Sequence, residues 1–150
     1  MSTMIGNRKK PWRGYGGYNT LQACRLHVNQ AAVIDPAEAK GTAEQIVLQL
    51  NKNFHFGTIP AGAIILPPTI HVITAFTATA TVEVGPEDDT DGILTAAGSV
   101  VTTAGLKVNV TGGVMLGYTN RDILLHARLA VAAASVGAFD LIIPFYVHAD

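Results

Sequence analysis

Residues 123–131 read ILLHARLAV and residues 138–147 read AFDLIIPFYV, and these two runs decide the fold class. Ile123, Leu125, Ala127, Leu129 and Val131 occupy alternate positions of the first. Phe139, Leu141, Ile143, Phe145 and Val147 do the same in the second. A period of two sends successive side chains to opposite faces of an extended chain, so each run has one face fit for a core. Alanine favours helix, and the 127–134 stretch is rich in it. The alternation holds through Val131, however, and predicts a strand. Pro144 has no N–H to give to a ladder, which predicts that its strand lies at a sheet edge or carries a bulge.

The same period runs outward from these segments. Cys24, Leu26 and Val28 alternate with Arg25, His27 and Asn29. Ile46, Leu48 and Leu50 alternate with Gln45, Val47 and Gln49; Ile70, Val72, Thr74 and Phe76 with His71, Ile73 and Ala75; Ala80, Val82 and Val84 with Thr79, Thr81 and Glu83; and Leu106, Val108 and Val110 with Lys107, Asn109 and Thr111. Turn residues separate them: Asp35-Pro36, Ile59-Pro60-Ala61-Gly62, Pro67-Pro68, Gly85-Pro86, Asp91-Gly92, Gly112-Gly113 and Gly137. Many short strands with Gly/Pro punctuation predict an all-β sandwich, jelly roll or barrel. Helix is minor, with single turns expected over 36–41 and 92–97. Residues 1–20, MSTMIGNRKKPWRGYGGYNT, have no periodicity and too many aromatics for an ordinary disordered tail. They are expected to form an N-terminal arm, ordered where it lies against something, ahead of a β-sandwich domain over 21–150.

The chain has 150 residues, 49% hydrophobic and only 14% charged. A typical soluble domain carries about 25% charged residues. Excess apolar surface on a small chain predicts burial between subunits. No segment supplies about 18 consecutive apolar residues, so no membrane-spanning helix is expected. The basic N-terminus lacks the apolar region of a signal peptide. A net charge of −1 gives no overall pull toward nucleic acid or membrane. The charge is uneven. Arg8, Lys9, Lys10 and Arg13 precede the first acid, Asp35, and Glu83, Glu87, Asp88, Asp89 and Asp91 cluster in one loop.

The chain offers little for chemistry. His27, His55, His71, His126 and His148 show no HxH or HExxH spacing, and His27, His71 and His126 fall on the polar side of their strands. Ser2, Ser99 and Ser135 sit in no nucleophile elbow. The single cysteine, Cys24, makes no intrachain disulfide and reads as a buried, inert thiol. Glu83–Gly92 has carboxylates enough for calcium but lacks the EF-hand glutamate and flanking helices, so a solvated hairpin loop is expected. No catalytic residue, metal or cofactor is expected. The arm residues Arg8, Lys9, Lys10, Trp12, Arg13, Tyr15 and Tyr18 are the candidate partner-binding site. Their aromatic faces gain most by being covered, and docking on protein is favoured over gripping nucleic acid.

TIPAGAIILPPTIHVITAF (58–76), followed by TATVEVGPEDDTDGILTAAGSVVTTAG (79–105), resembles a pattern in small structural proteins of tailed bacteriophages, among them capsid decoration, or cement, proteins. The resemblance implies a jelly-roll β-sandwich of about eight antiparallel strands. It also implies a homotrimer that binds the major capsid protein and stabilises the head shell, located on the capsid surface of the virion after synthesis in the host cytoplasm. It carries no catalytic residues. A carbohydrate-binding jelly roll or phage tail module is the alternative, and a cupin-like enzyme, which would need converging histidines, the third reading.

Overall fold

The computed structural model describes residues 21–31, 46–77, 79–95, 101–108 and 117–147. The arm and the turn expected at 36–41 lie outside the described residues. Nine strands form: β1 (Leu21–Asn29), β2 (Phe54–Ile59), β3 (Ala63–Ile65), β4 (Thr69–Thr74), β5 (Thr81–Gly85), β6 (Gly105–Lys107), β7 (Gly117–Tyr118), β8 (Ile123–Ala130) and β9 (Ala138–Val147). No helix occurs among the described residues.

The two runs that open the sequence argument become the spines of two antiparallel sheets. β9 pairs with β1 along one edge and with β4 and β3, placed end to end, along the other. β6 extends the sheet beside β4, and β7 beside β3. The smaller sheet runs β2-β8-β5. The pairs nest: β1 with β9, β2 with β8, β4 with β6, and β5 with an isolated bridge at Leu94. Nested pairs rolled so that they alternate between two sheets make a jelly roll. The third of its eight positions is split into β3 and β4. Among the described residues the fifth is represented by the Leu94 bridge, which puts strand-like pairing within the turn expected at 92–97, whose last two residues lie outside the described ones. The core lies between the sheets. Leu26, Val28, Ile70, Val72, Leu141 and Ile143 from one meet Ile59, Val82, Val84, Ile123, Leu125 and Leu129 from the other, all buried.

Four sequence expectations change. Pro144 lies in a central strand without a bulge at its position. Leu66 N donates to Pro144 O at 2.9 Å. A strand residue turns its C=O and N–H to the same neighbour, so the missing donor faces the Leu66-Pro67-Pro68 break between β3 and β4. The ladder is interrupted where Pro144 has nothing to give. Val131 does not continue the inward set: it ends β8 with φ 70° and is 71% exposed. Residues 46–50 form bridges instead of a ladder strand. They are held by Gln30, whose Nε2 donates to Leu48 O (2.9 Å) and Ala134 O (3.0 Å), and whose Oε1 accepts from Leu48 N (2.7 Å). Leu106 and Val108, expected inside, are 65% and 61% exposed. Leu106 stands opposite the outward-facing His71, which fixes its side.

Gly137 (φ 141°) carries the chain into β9 against the Phe76 ring, which packs on Phe139 at 5.7 Å between centroids. A Cβ there would lie 2.3 Å from Phe76 Cδ1. Gly137→Ala is therefore expected to destabilise the fold by about 3 kcal/mol or more. Val131→Asn, at an exposed left-handed position, is expected to stabilise it by about 1 kcal/mol. Equilibrium denaturant unfolding measures both.

Candidate functional site

The outer faces of the two sheets differ in chemistry. On the smaller sheet charges pair with charges. Arg128 Nη2 lies 2.8 Å from Glu83 Oε1, and Arg121 forks onto Asp88 at 3.1 and 3.2 Å. His55 and His126, opposite each other on β2 and β8, hold their rings 5.2 Å apart, and His55 Nε2 lies 3.0 Å from Gly57 O. Phe56 is the bulged residue between these registers.

The larger sheet carries a groove. The register sets His27, Asp140, His71 and Leu106 side by side across β1, β9, β4 and β6. The next row is Arg25, Ile142 and Thr69. With Ile46 these residues line a concavity of about 600 Å³. His27 Nδ1 pairs with Asp140 Oδ1 across β1 and β9. Further along the face, Leu21, Tyr146 and Ile64 form an apolar row, each more than a third exposed. The groove thus sets the aliphatic side chains of Ile46, Leu106 and Ile142 beside the polar ones of Arg25, His27, Thr69, His71 and Asp140.

Thr69 has the only hydroxyl in the lining. The two histidines flank Asp140 in a row instead of converging, and no group of three or more His, Cys, Asp or Glu among the described residues is arranged to hold a metal ion. Cys24, half-buried against Thr58 O, has its thiol pKa pushed up by burial, which lowers its reactivity. His27 and His71 face outward as the alternation predicts, whereas His148 lies outside the described residues. So do all the expected partner-binding residues, Arg8, Lys9, Lys10, Trp12, Arg13, Tyr15 and Tyr18. The groove was missed because Leu106 reads as core and because Asp140 is an isolated acid within an apolar run.

The acidic turn is more ordered than mutual repulsion suggests. Asp89 N donates to Pro86 O (3.1 Å) and Gly92 N to Asp89 O (2.9 Å). The turn folds so tightly over Gly85 that a Cβ there would meet Asp89 O at 2.2 Å. The Arg121 hydrogen bond holds the Asp88 carboxyl below the usual carboxylate range, while desolvation, with Asp91 beside it, pushes Asp89 up. The two shifts oppose each other, and exposed ion pairs contribute little. Replacing Asp88, Asp89 and Asp91 together by Asn should shift the melting temperature by less than about 3 °C at neutral pH, with or without chelator. The Asp88 contribution is present above its unfolded pKa. It should fade only as pH falls below about 4, through the lowered folded value. Thermal melts across pH, for the wild type and the Asn variant, check both statements.

No protein-family model matches the chain, and no curated protein matches its sequence. Solved structures do match its fold. A chain of the cyanophage Pam1 capsid asymmetric unit superposes with a TM-score of 0.60 at 16% identity, covering 98% of this chain and 97% of that one. A chain of the acid-stable capsid of Helicobacter pylori bacteriophage KHP30 superposes with a TM-score of 0.50 at 15% identity, covering 88% and 91%. The chain therefore shares, along nearly its whole length, a β-sandwich fold found in phage capsid structures.

Proposed function

We propose that the protein is a structural component of a bacteriophage virion, a decoration or cement protein that binds the major capsid protein and stabilises the head shell as a homotrimer. The end-to-end likeness to a chain of the Pam1 capsid asymmetric unit carries this reading. Three physical features support it. The composition is short of charge, as expected of subunits that bury surface against one another. The larger sheet keeps a row of exposed aliphatic and aromatic side chains where a free monomer gains by polar ones. The groove sets aliphatic side chains beside the His27–Asp140 pair, a mixture suited to docking. A sugar-binding reading would be favoured by aromatics in the groove, and no Trp, Tyr or Phe is among its described lining residues.

In this reading residues 1–20 fasten the subunit to a neighbour. An arm without its own core must recover about 1–2 kcal/mol per ordered backbone residue from contacts made elsewhere. Trp12, Tyr15 and Tyr18 are suited to that, burying large faces with few rotatable bonds.

Three outcomes are expected. Sedimentation at micromolar concentration should show an oligomer, and a purely monomeric species overturns the assembly reading. Mass spectrometry of purified particles of the source phage should find the protein in the virion. A chain lacking residues 1–18 should keep its β-sheet circular dichroism but lose firm attachment to particles, with Trp12→Ala reproducing much of that loss and Lys9→Ala little.

A further inference from the structure

β1 has β9 along one edge, and the direction of its backbone groups along the other follows from three hydrogen bonds. Asn29 N donates to Ile46 O (3.0 Å) and Ile46 N to His27 O (3.3 Å), so His27 and Asn29 turn their groups away from β9. Pro144, the register partner of Ala23, accepts from Leu66 N on its side away from β1. Opposed residues of an antiparallel pair turn their groups both toward or both away from each other. Ala23 therefore turns away from β9, and by the period of two so do Leu21 and Arg25. Among the described residues nothing bonds to the N–H and C=O groups of these three, and all three are exposed.

This stretch lacks the devices that keep an edge strand from pairing. It holds no proline, no bulge and no lysine, and its register with β9 is unbroken. Nor can it swing inward to hide. Cys24 packs against Gly57 of β2, where a Cβ would lie 3.1 Å from the sulfur.

A second copy of the same edge fits it. Two such edges run antiparallel about a two-fold axis normal to the sheet at Ala23. Ala23 then faces Ala23, and Arg25 of each copy faces Leu21 of the other. Each facing pair exchanges two backbone hydrogen bonds, because both edges turn these groups outward. This register keeps the two guanidinium groups apart. It also lays the aliphatic stem of Arg25 over Leu21, which is 55% exposed. The chain's own residues 1–20 suit the edge less. Their charged groups, Arg8, Lys9, Lys10 and Arg13, all repel Arg25, and Pro11 lacks the N–H that a ladder needs.

We infer that β1 joins two copies of this chain edge to edge, Leu21–Arg25 against Leu21–Arg25, so that their larger sheets become one. A two-fold contact cannot close a trimer. It therefore goes beyond the homotrimer proposed above and links subunits of adjoining trimers.

Amide hydrogen exchange, resolved to single residues in the full-length protein, tests the contact. In the oligomer the Ala23 and Arg25 amides should be as protected as those of Gln22 and Cys24, which face β9. On dilution to the monomer they should exchange at least about tenfold faster, while Gln22 and Cys24 change little. Ala23→Lys and Ala23→Glu each set like charges face to face and should raise the dissociation concentration by about tenfold or more. An equimolar mixture of the two variants should restore association, since Lys then faces Glu. Position 23 is exposed, and circular dichroism should show both variants folded as the wild type is. Fast exchange of Ala23 and Arg25 in the oligomer overturns the contact, and so does a mixture no tighter than either variant alone. Protection that survives in the monomer means that the chain covers its own edge, and overturns it equally. A wild type that stays monomeric up to its solubility limit overturns both this contact and the assembly reading. Absence of the protein from virions, with exchange and rescue as expected, overturns only the virion reading.

Discussion

The architecture hangs on β9, a ten-residue strand paired along both edges. Its inward side chains, Phe139, Leu141, Ile143 and Phe145, are all buried, and β1, β3 and β4 take their register from it. Because side chains alternate with a period of two, a slip of one residue on β9 would exchange the core and the outer face together. The same pairing therefore sets both the packing between the sheets and the row of His27, Asp140 and His71 on the outside. The groove is a consequence of register, not of a loop laid over the sheet.

Prolines mark where this spine changes partners. β4 leaves β9 near Ile142, β3 takes over at Phe145, and Leu66-Pro67-Pro68 spans the change. Three prolines thus meet at the one place where the ladder has no N–H to offer. At the other end of β9, Gly137 admits the Phe76 ring, and Gln30 binds the 46–50 segment and the loop before β9 to the end of β1. Gln30 is nearly fully buried, yet both its amide nitrogen and its oxygen are paired. Unpaired, such a group would cost about 1–3 kcal/mol.

The distribution of charge over the two outer faces connects the fold to its proposed role. One face pairs Glu83 with Arg128 across β5 and β8. The other presents the exposed Leu21, Ile64 and Tyr146 in one row and Leu106 at the end of the His27, Asp140 and His71 row. Apolar surface with sparse, directional polar groups is the composition of an interface core. A capsid subunit that must hold its neighbours over long periods has a use for such a face, and a monomeric sandwich has none.

Local pattern was enough for the fold class and most of its frame. The alternation over Cys24–Val28, Ile123–Leu129 and Phe139–Val147 placed β1, β8 and β9, because a sheet with one buried face writes its period directly into the chain. Gly and Pro pairs placed the turns at Pro60–Gly62 and Pro86–Gly92, because those residues act through local backbone geometry. β2 was not legible, since the bulge at Phe56 breaks its period. β3, with three residues, is too short to show one. The outer groove was legible only in part: alternation separates two faces of a strand but does not say which is inside when both carry apolar residues. Leu106 and Val131 read as core for that reason. Their exposure was decided by pairing opposite His71 and by a positive φ at the end of β8. His27 and Asp140, 113 residues apart in sequence, become neighbours only because β1 and β9 pair. That juxtaposition is a long-range fact, and only the tertiary structure could decide it.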